Sequence, residues 1–129
     1  MTIQVQMAFG QADIDGIRAL SDEELNELDF GVIGFDAAGV VRRYNATEAR
    51  YAGLTQHRVP GKPLFTTIAP CMNNFMVAQR FLDAASAGSV LDVTIDYVLT
   101  FKMRPSKVKL RLLAAPKQPL SYVLIERVP

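Results

Sequence analysis

Apolar and polar positions change their period several times along the chain. Between residues 11 and 28 the apolar positions Ile14, Ile17, Leu20, Leu25 and Leu28 recur at helical spacing, which predicts two short helices with one apolar face. The second opens at Ser21, with Glu24 three residues on, so their side chains can satisfy each other's orphan amides as a capping box. Phe30 to Phe35 is a short apolar run, "DAAG" is a turn with Gly39 free to take a positive φ, and Val40 to Tyr44 resumes extended structure. The expectation is a β-hairpin.

Asn45 stands as the N-cap of a further helix, with Glu48 at its third position. Pro60, Gly61 and Pro63 punctuate the loop that follows, and Pro70 ends or kinks whatever precedes Cys71. Phe75, Met76, Ala78, Phe81, Leu82 and Ala85 then recur at helical spacing until Gly88 stops the run. The last forty residues read as three strands separated by "MRPS" and "PKQP". Two strands, short helices, one longer helix and three strands make an α+β arrangement, a five-stranded antiparallel sheet with helices on one side.

Composition narrows the functional classes. A chain of 129 residues, half of them hydrophobic, is enough for one core without a metal or disulfide. A net charge of +1 argues against nucleic acid or an anionic membrane as a partner held by bulk electrostatics. A single cysteine cannot close an internal disulfide, the first ten residues do not resemble a signal peptide, and no apolar run reaches the roughly 18 residues of a membrane span. The expected location is the cytoplasm.

Few residues carry candidate chemistry. Lys107, Lys109 and Arg111 alternate with Val108, Leu110 and Leu112, the pattern of a strand with one solvated face. His57 lies alone in a polar loop, with no second metal ligand or nucleophile in view, and the glycines lack phosphate-loop spacing. Tyr44 and Glu48, four apart at a strand-to-helix junction, either aim a phenol and a carboxyl into one apolar pocket or leave Glu48 facing water as the partner of Asn45. In a pocket, burial would raise the Glu48 pKa and make the carboxyl a hydrogen-bond donor. Cys71 is either an inert core thiol or a reactive one, and spacing leaves both open.

Read as words, the sequence goes further. "AFG" at 8–10, "FGVIGFDAAGVVRRYNATEA" at 30–49, "GKPLF" at 61–65, "IAPC" at 68–71, "PSKVKL" at 105–110 and "YVLIERV" at 122–128 follow the order and nearly the spacing found in the photoactive yellow proteins. The resemblance spans essentially the whole chain. It implies a PAS fold with an N-terminal helical cap at 1–28 and a PAS core at 29–129. It further implies p-coumaric acid (trans-4-hydroxycinnamic acid) as a covalent thioester on Cys71, with the phenolate oxygen hydrogen-bonded by Tyr44 and by a protonated Glu48. Signalling in such a protein would follow blue-light isomerisation, proton transfer from Glu48 and partial unfolding of the cap, read out by a downstream signalling protein that the sequence does not name. The resemblance places Ala52, Leu54, Leu64, Ala69, Leu99, Phe101 and Met103 around the chromophore.

Several of these positions depart from the family pattern. Ala52 stands where Thr is common, Leu54 where Arg is common, Leu64 and Leu99 where Phe is usual and Phe101 where Tyr is usual, while Met103 keeps the family's Met. These departures favour the alternative of a PAS-fold small-molecule or protein-interaction sensor that has lost photoactivity. An enzyme with Cys71 as nucleophile is disfavoured, because the sole histidine, His57, lies in a separate loop and no other base is in view.

Overall fold

The computed structural model describes residues 7–101 and 104–128. Helices α1 (Ile14–Ala19) and α2 (Asp22–Asn26) precede strands β1 (Gly31–Phe35) and β2 (Val41–Tyr44). Helix α3 (Ala46–Ala52), a π-helical turn (Leu64–Ile68), a 3-10 turn (Pro70–Met72) and α4 (Ala78–Ala87) follow. Strands β3 (Leu91–Phe101), β4 (Arg104–Ala114) and β5 (Ser121–Arg127) close the chain. The sheet order is β2-β1-β5-β4-β3, and every neighbouring pair is antiparallel.

Local chemistry sets most element ends. Ser21 and Glu24 make both bonds of the capping box on α2. Gly53 and Gly88 end α3 and α4 in left-handed conformations, which a residue without Cβ adopts at least cost. Helix α4 starts later than its apolar spacing predicts. The Asn74 side chain accepts from the amides of Met76 and Val77, holding that stretch as turns until Ala78. Its inward face is therefore Ala78, Phe81 and Ala84, while Phe75, Leu82 and Ala85 are exposed.

The sheet divides the core in two. On one face Ile33, Tyr44, Leu64, Ala69, Phe81, Leu110, Val123 and Ile125 belong to one buried cluster under α3 and α4. On the other, Phe9, Ile17, Leu25 and Leu28 of the N-terminal segment cover Val32, Leu113, Tyr122 and Leu124. Alternate residues of β5 thus serve opposite layers, as strand pleating requires. The cap is why the basic strand is not a solvated face throughout. Lys107 and Lys109 are exposed, but Arg111 is buried, donating to the carbonyl oxygens of Phe9 (3.0 Å) and Ala12 and pairing with Asp92 at 2.7 Å. Arg43 of β2 does the same for α1, donating to the carbonyls of Ile17 and Leu20, to Asp22 and to the Tyr122 hydroxyl.

Candidate functional site

The junction of β2 and α3 is fixed by Asn45, which is 1% exposed. Its Oδ1 accepts from the amides of Glu48 (3.1 Å) and Val32 (3.0 Å), and its Nδ2 donates to the carbonyls of Leu25 (2.8 Å) and Phe30 (3.0 Å). Thr47 donates to the Leu28 carbonyl at 2.6 Å, and the Ala46 amide donates to Asn26 at 2.7 Å. The first turn of α3 is therefore bonded to β1 on one side and to the end of α2 on the other.

This junction points Glu48 inward. Asn45 does cap its amide, but the Glu48 side chain is 0% exposed and does not face water. Gly31 makes room for it: a Cβ there would overlap Glu48 Oε1. Arg127 of β5 meets the carboxylate with a fork, Nη1 to Oε1 and Nη2 to Oε2 at 3.1 Å. Tyr44 is buried nearby. Burial pushes the Tyr44 phenol well above its ordinary pKa; the Glu48 charge adds to this and Arg127 opposes it. Burial also pushes the Glu48 carboxyl upward and outweighs the hydrogen bonds and charge of Arg127, which pull it down.

Cys71 sits in the 3-10 turn after the π-helical turn, a rare element that tends to mark functional positions. Its backbone is held by a small polar network. The Tyr97 hydroxyl and Asn74 Nδ2 (3.2 Å) both donate to its carbonyl oxygen, and Asn74 Nδ2 is 2.6 Å from the Tyr97 oxygen. The thiol is free and half-buried, packed against the cluster that contains Tyr44, Leu64, Ala69 and Leu99.

The other predicted positions divide. Ala52, Leu64, Ala69 and Leu99 are buried, whereas Leu54, just past Gly53, is 36% exposed. The side chain of Phe101 and the whole of Met103 lie outside the described residues. His57 is exposed, and the described residues hold no cluster of potential metal ligands. A cleft of about 510 Å³ opens elsewhere, between the β1–β2 turn, α4 and the β4–β5 turn, and none of Tyr44, Glu48 or Cys71 lines it.

Comparison with known proteins places this geometry. No protein-family model matches the chain. The photoactive yellow protein of Halochromatium salexigens is 35% identical over 93% of the chain and 96% of its own length. That of Rhodothalassium salexigens is 33% identical over the same shares. The chain belongs to the photoactive yellow protein family. Among solved structures, the photoactive yellow protein domain of the sensor histidine kinase Ppr from Rhodospirillum centenum is similar at 34% identity and a TM-score of 0.79, covering 87% of this chain and 97% of that one. The PAS domain of the RpfR quorum-sensing receptor from Cronobacter turicensis, at 16% identity and a TM-score of 0.61, shares the fold. The fold is thus PAS, and the family is one of sensory proteins rather than enzymes. None of the described helices is long and apolar enough to cross a membrane.

The donor set fits the prosthetic group that the family implies. A buried carboxyl beside a buried phenol suits a phenolic oxygen, and a free thiol packed on the same apolar cluster suits an acyl linkage. Residue spacing missed Arg127 and Gly31. For Arg127 a signal existed: it continues the alternation of Val123 and Ile125, which puts a cation in a core-facing phase. For Gly31 no local signal distinguishes it from any strand glycine.

Proposed function

We propose that the chain is a blue-light receptor in which Cys71 carries p-coumaric acid as a thioester and Tyr44 and Glu48 hold its phenolic oxygen. When bound, the group supplies visible absorption and a double bond that light isomerises. The observation that carries this reading is the burial of Tyr44 and Glu48 in the layer against which the Cys71 thiol packs, in a chain of this family. Glu48, raised by burial, is the carboxyl in this layer that can hold a proton and give it up. A buried carboxylate costs several kcal/mol to the extent that Arg127 does not compensate it, which is on the scale of the stability of a small cap. Asn45 and Thr47 tie the helix bearing Glu48 to the carbonyls of Leu25 and Leu28, so disturbance at Glu48 reaches the cap directly. The released cap would engage a downstream signalling protein in the cytoplasm, with neither nucleic acid nor membrane as partner.

A second reading, a PAS sensor without photochemistry, is favoured by Ala52, by the exposure of Leu54, and by the Arg127 fork on Glu48. One experiment separates the two. Apoprotein is mixed with activated p-coumaric acid and the spectrum is recorded before and after denaturation and under blue light. A visible band that survives denaturation, bleaches and recovers supports the photoreceptor. Attachment without bleaching supports the second reading, and absence of attachment, or attachment that persists in Cys71→Ala, removes the first.

A further inference from the structure

Arg127 stands opposite Val108 in the β4–β5 register, in phase with Ile125 and Val123, whose side chains lie in the α3–α4 core. Its side chain is mostly buried, and it forks onto both oxygens of a carboxylate that is wholly buried. The guanidinium also lies 4.7 Å from the centroid of the Tyr51 ring, and Tyr51 is 55% exposed. One residue is therefore held by an ionised carboxylate on the inner side and by an aromatic face on the outer side. The charged or titratable groups acting on Glu48 are Arg127 from β5 and Tyr44 from β2, while Arg50 on α3 itself lies beside Tyr51, 5.9 Å from the ring centroid.

The two demands on Glu48 are incompatible. To donate a hydrogen bond to a phenolate, the carboxyl must carry a proton. To accept the two-pronged fork of Arg127, it must be a carboxylate, since a protonated carboxyl keeps one oxygen occupied by its hydrogen. We propose that Arg127 is the resident counter-ion of Glu48, pairing with it whenever the carboxyl is ionised and resting on Tyr51 when the carboxyl is protonated. This rests on the photoreceptor reading only for its consequence in the pigment. There, Glu48 would give up its proton to the phenolate oxygen, the carboxyl O–H bond breaking as the phenol O–H bond forms. The carboxylate left behind meets a cation rather than an apolar wall, which prolongs the deprotonated state and weakens the drive to release the cap.

The test begins without pigment. With the Glu side chains of the apoprotein carrying ¹³C-labelled carboxyls, the Glu48 resonance is followed against pH in wild type, Arg127→Gln and Arg127→Lys. Loss of the cation should raise the Glu48 midpoint by more than one pH unit, a tenfold gain in proton affinity. Lys, which keeps charge but not the fork, should fall between. Tyr51→Leu removes the aromatic rest without touching the pair and should leave the ionised form's fork intact, which covers the case in which Arg127→Gln does not fold. A midpoint unchanged in both Arg127 variants, or a Tyr51→Leu protein in which Glu48 is no longer paired, would overturn the proposal. In reconstituted protein, Arg127→Gln should speed dark recovery about tenfold; pigment that forms and bleaches but recovers at the wild-type rate would overturn the consequence. If wild type forms no pigment, the photoreceptor reading fails and the apoprotein titration still decides the role of Arg127.

Discussion

The side-chain amide of Asn45 donates to the carbonyl of Leu25 at 2.8 Å while its oxygen accepts from the amide of Glu48 at 3.1 Å. A single buried side chain thus bonds both to the helix that carries the candidate proton donor and to the cap that covers the opposite face of the sheet.

Asn45→Ala should therefore cost more than an ordinary helix cap. Capping accounts for about 1 kcal/mol, and the buried Val32 amide left without its partner adds about 1–3 kcal/mol, so a loss of about 3 kcal/mol is expected. Denaturant unfolding of the apoprotein measures it directly. A loss under 1 kcal/mol would mean that water replaces the lost bonds and that Asn45 does not couple the two layers.

Arg111→Met keeps the apolar stem but removes the donors to Phe9 and Ala12. Hydrogen bonds to a charged donor contribute about 1.5–3 kcal/mol each. A local loss of about 3 kcal/mol, the low end for two such bonds, would speed amide exchange in residues 7–20 more than a hundredfold and leave β3 to β5 unchanged. Equal acceleration everywhere would show that Arg111 supports the whole fold rather than the docked cap.

Gly31→Ala places a methyl group where the Glu48 carboxylate lies. Overpacking of this kind costs about 1–3 kcal/mol. Combined with Glu48→Ala, which removes the carboxylate and leaves only the Glu48 Cβ at 3.0 Å, the Gly31 substitution should cost much less, and a double-mutant cycle reads the difference. Additive losses would place the Gly31 requirement in the backbone instead.

Glu48 also sets a pH dependence. Its folded pKa lies above the ordinary value of 4.5, so the folded state binds the proton more tightly than the unfolded chain does. Its stabilising contribution is present in full below pH 4.5 and is lost as pH rises through the higher folded value. Thermal melts should show stability falling across that window in wild type and a flatter profile in Glu48→Gln. A wild-type profile that rises with pH there, and loses its rise in the variant, would show that Arg127 outweighs burial.

In reconstituted protein, Ala52 lacks the hydroxyl common at its position, a loss of about 0.5–1.5 kcal/mol, and Leu54 supplies no cation. A Glu48 carboxylate held by Arg127 adds like-charge repulsion. Part of the pigment should then absorb at shorter wavelength as the protonated phenol, and that part should shrink between pH 6 and pH 9. A single visible band, constant over this range, would contradict the expectation.

What the sequence made legible is what short-range chemistry determines. The capping box of Ser21 and Glu24, the N-cap at Asn45, the hairpin turn at Gly39 and the stop at Gly88 each depend on residues within a few positions. Pairings across the sheet were not legible. Arg111 alternates with apolar residues as a surface cation would, and only the packing of residues 9 to 28 over its face buries it. Arg127 and Glu48 are 79 positions apart, and no local pattern links them. The exposed Phe75 shows the converse, since apolar spacing extended the helix beyond what Asn74 permits.

The bonds from Asn45 and Thr47 to the cap carbonyls have a reciprocal meaning. If deprotonating Glu48 loosens residues 14 to 28, then holding those residues undocked must change the affinity of Glu48 for its proton by the same free energy. An antibody fragment or effector that captures the undocked segment would act as a ligand of the carboxyl without touching it. The colour and the recovery time of a pigment in this site would then report on what the protein is bound to, as well as on whether it has been illuminated.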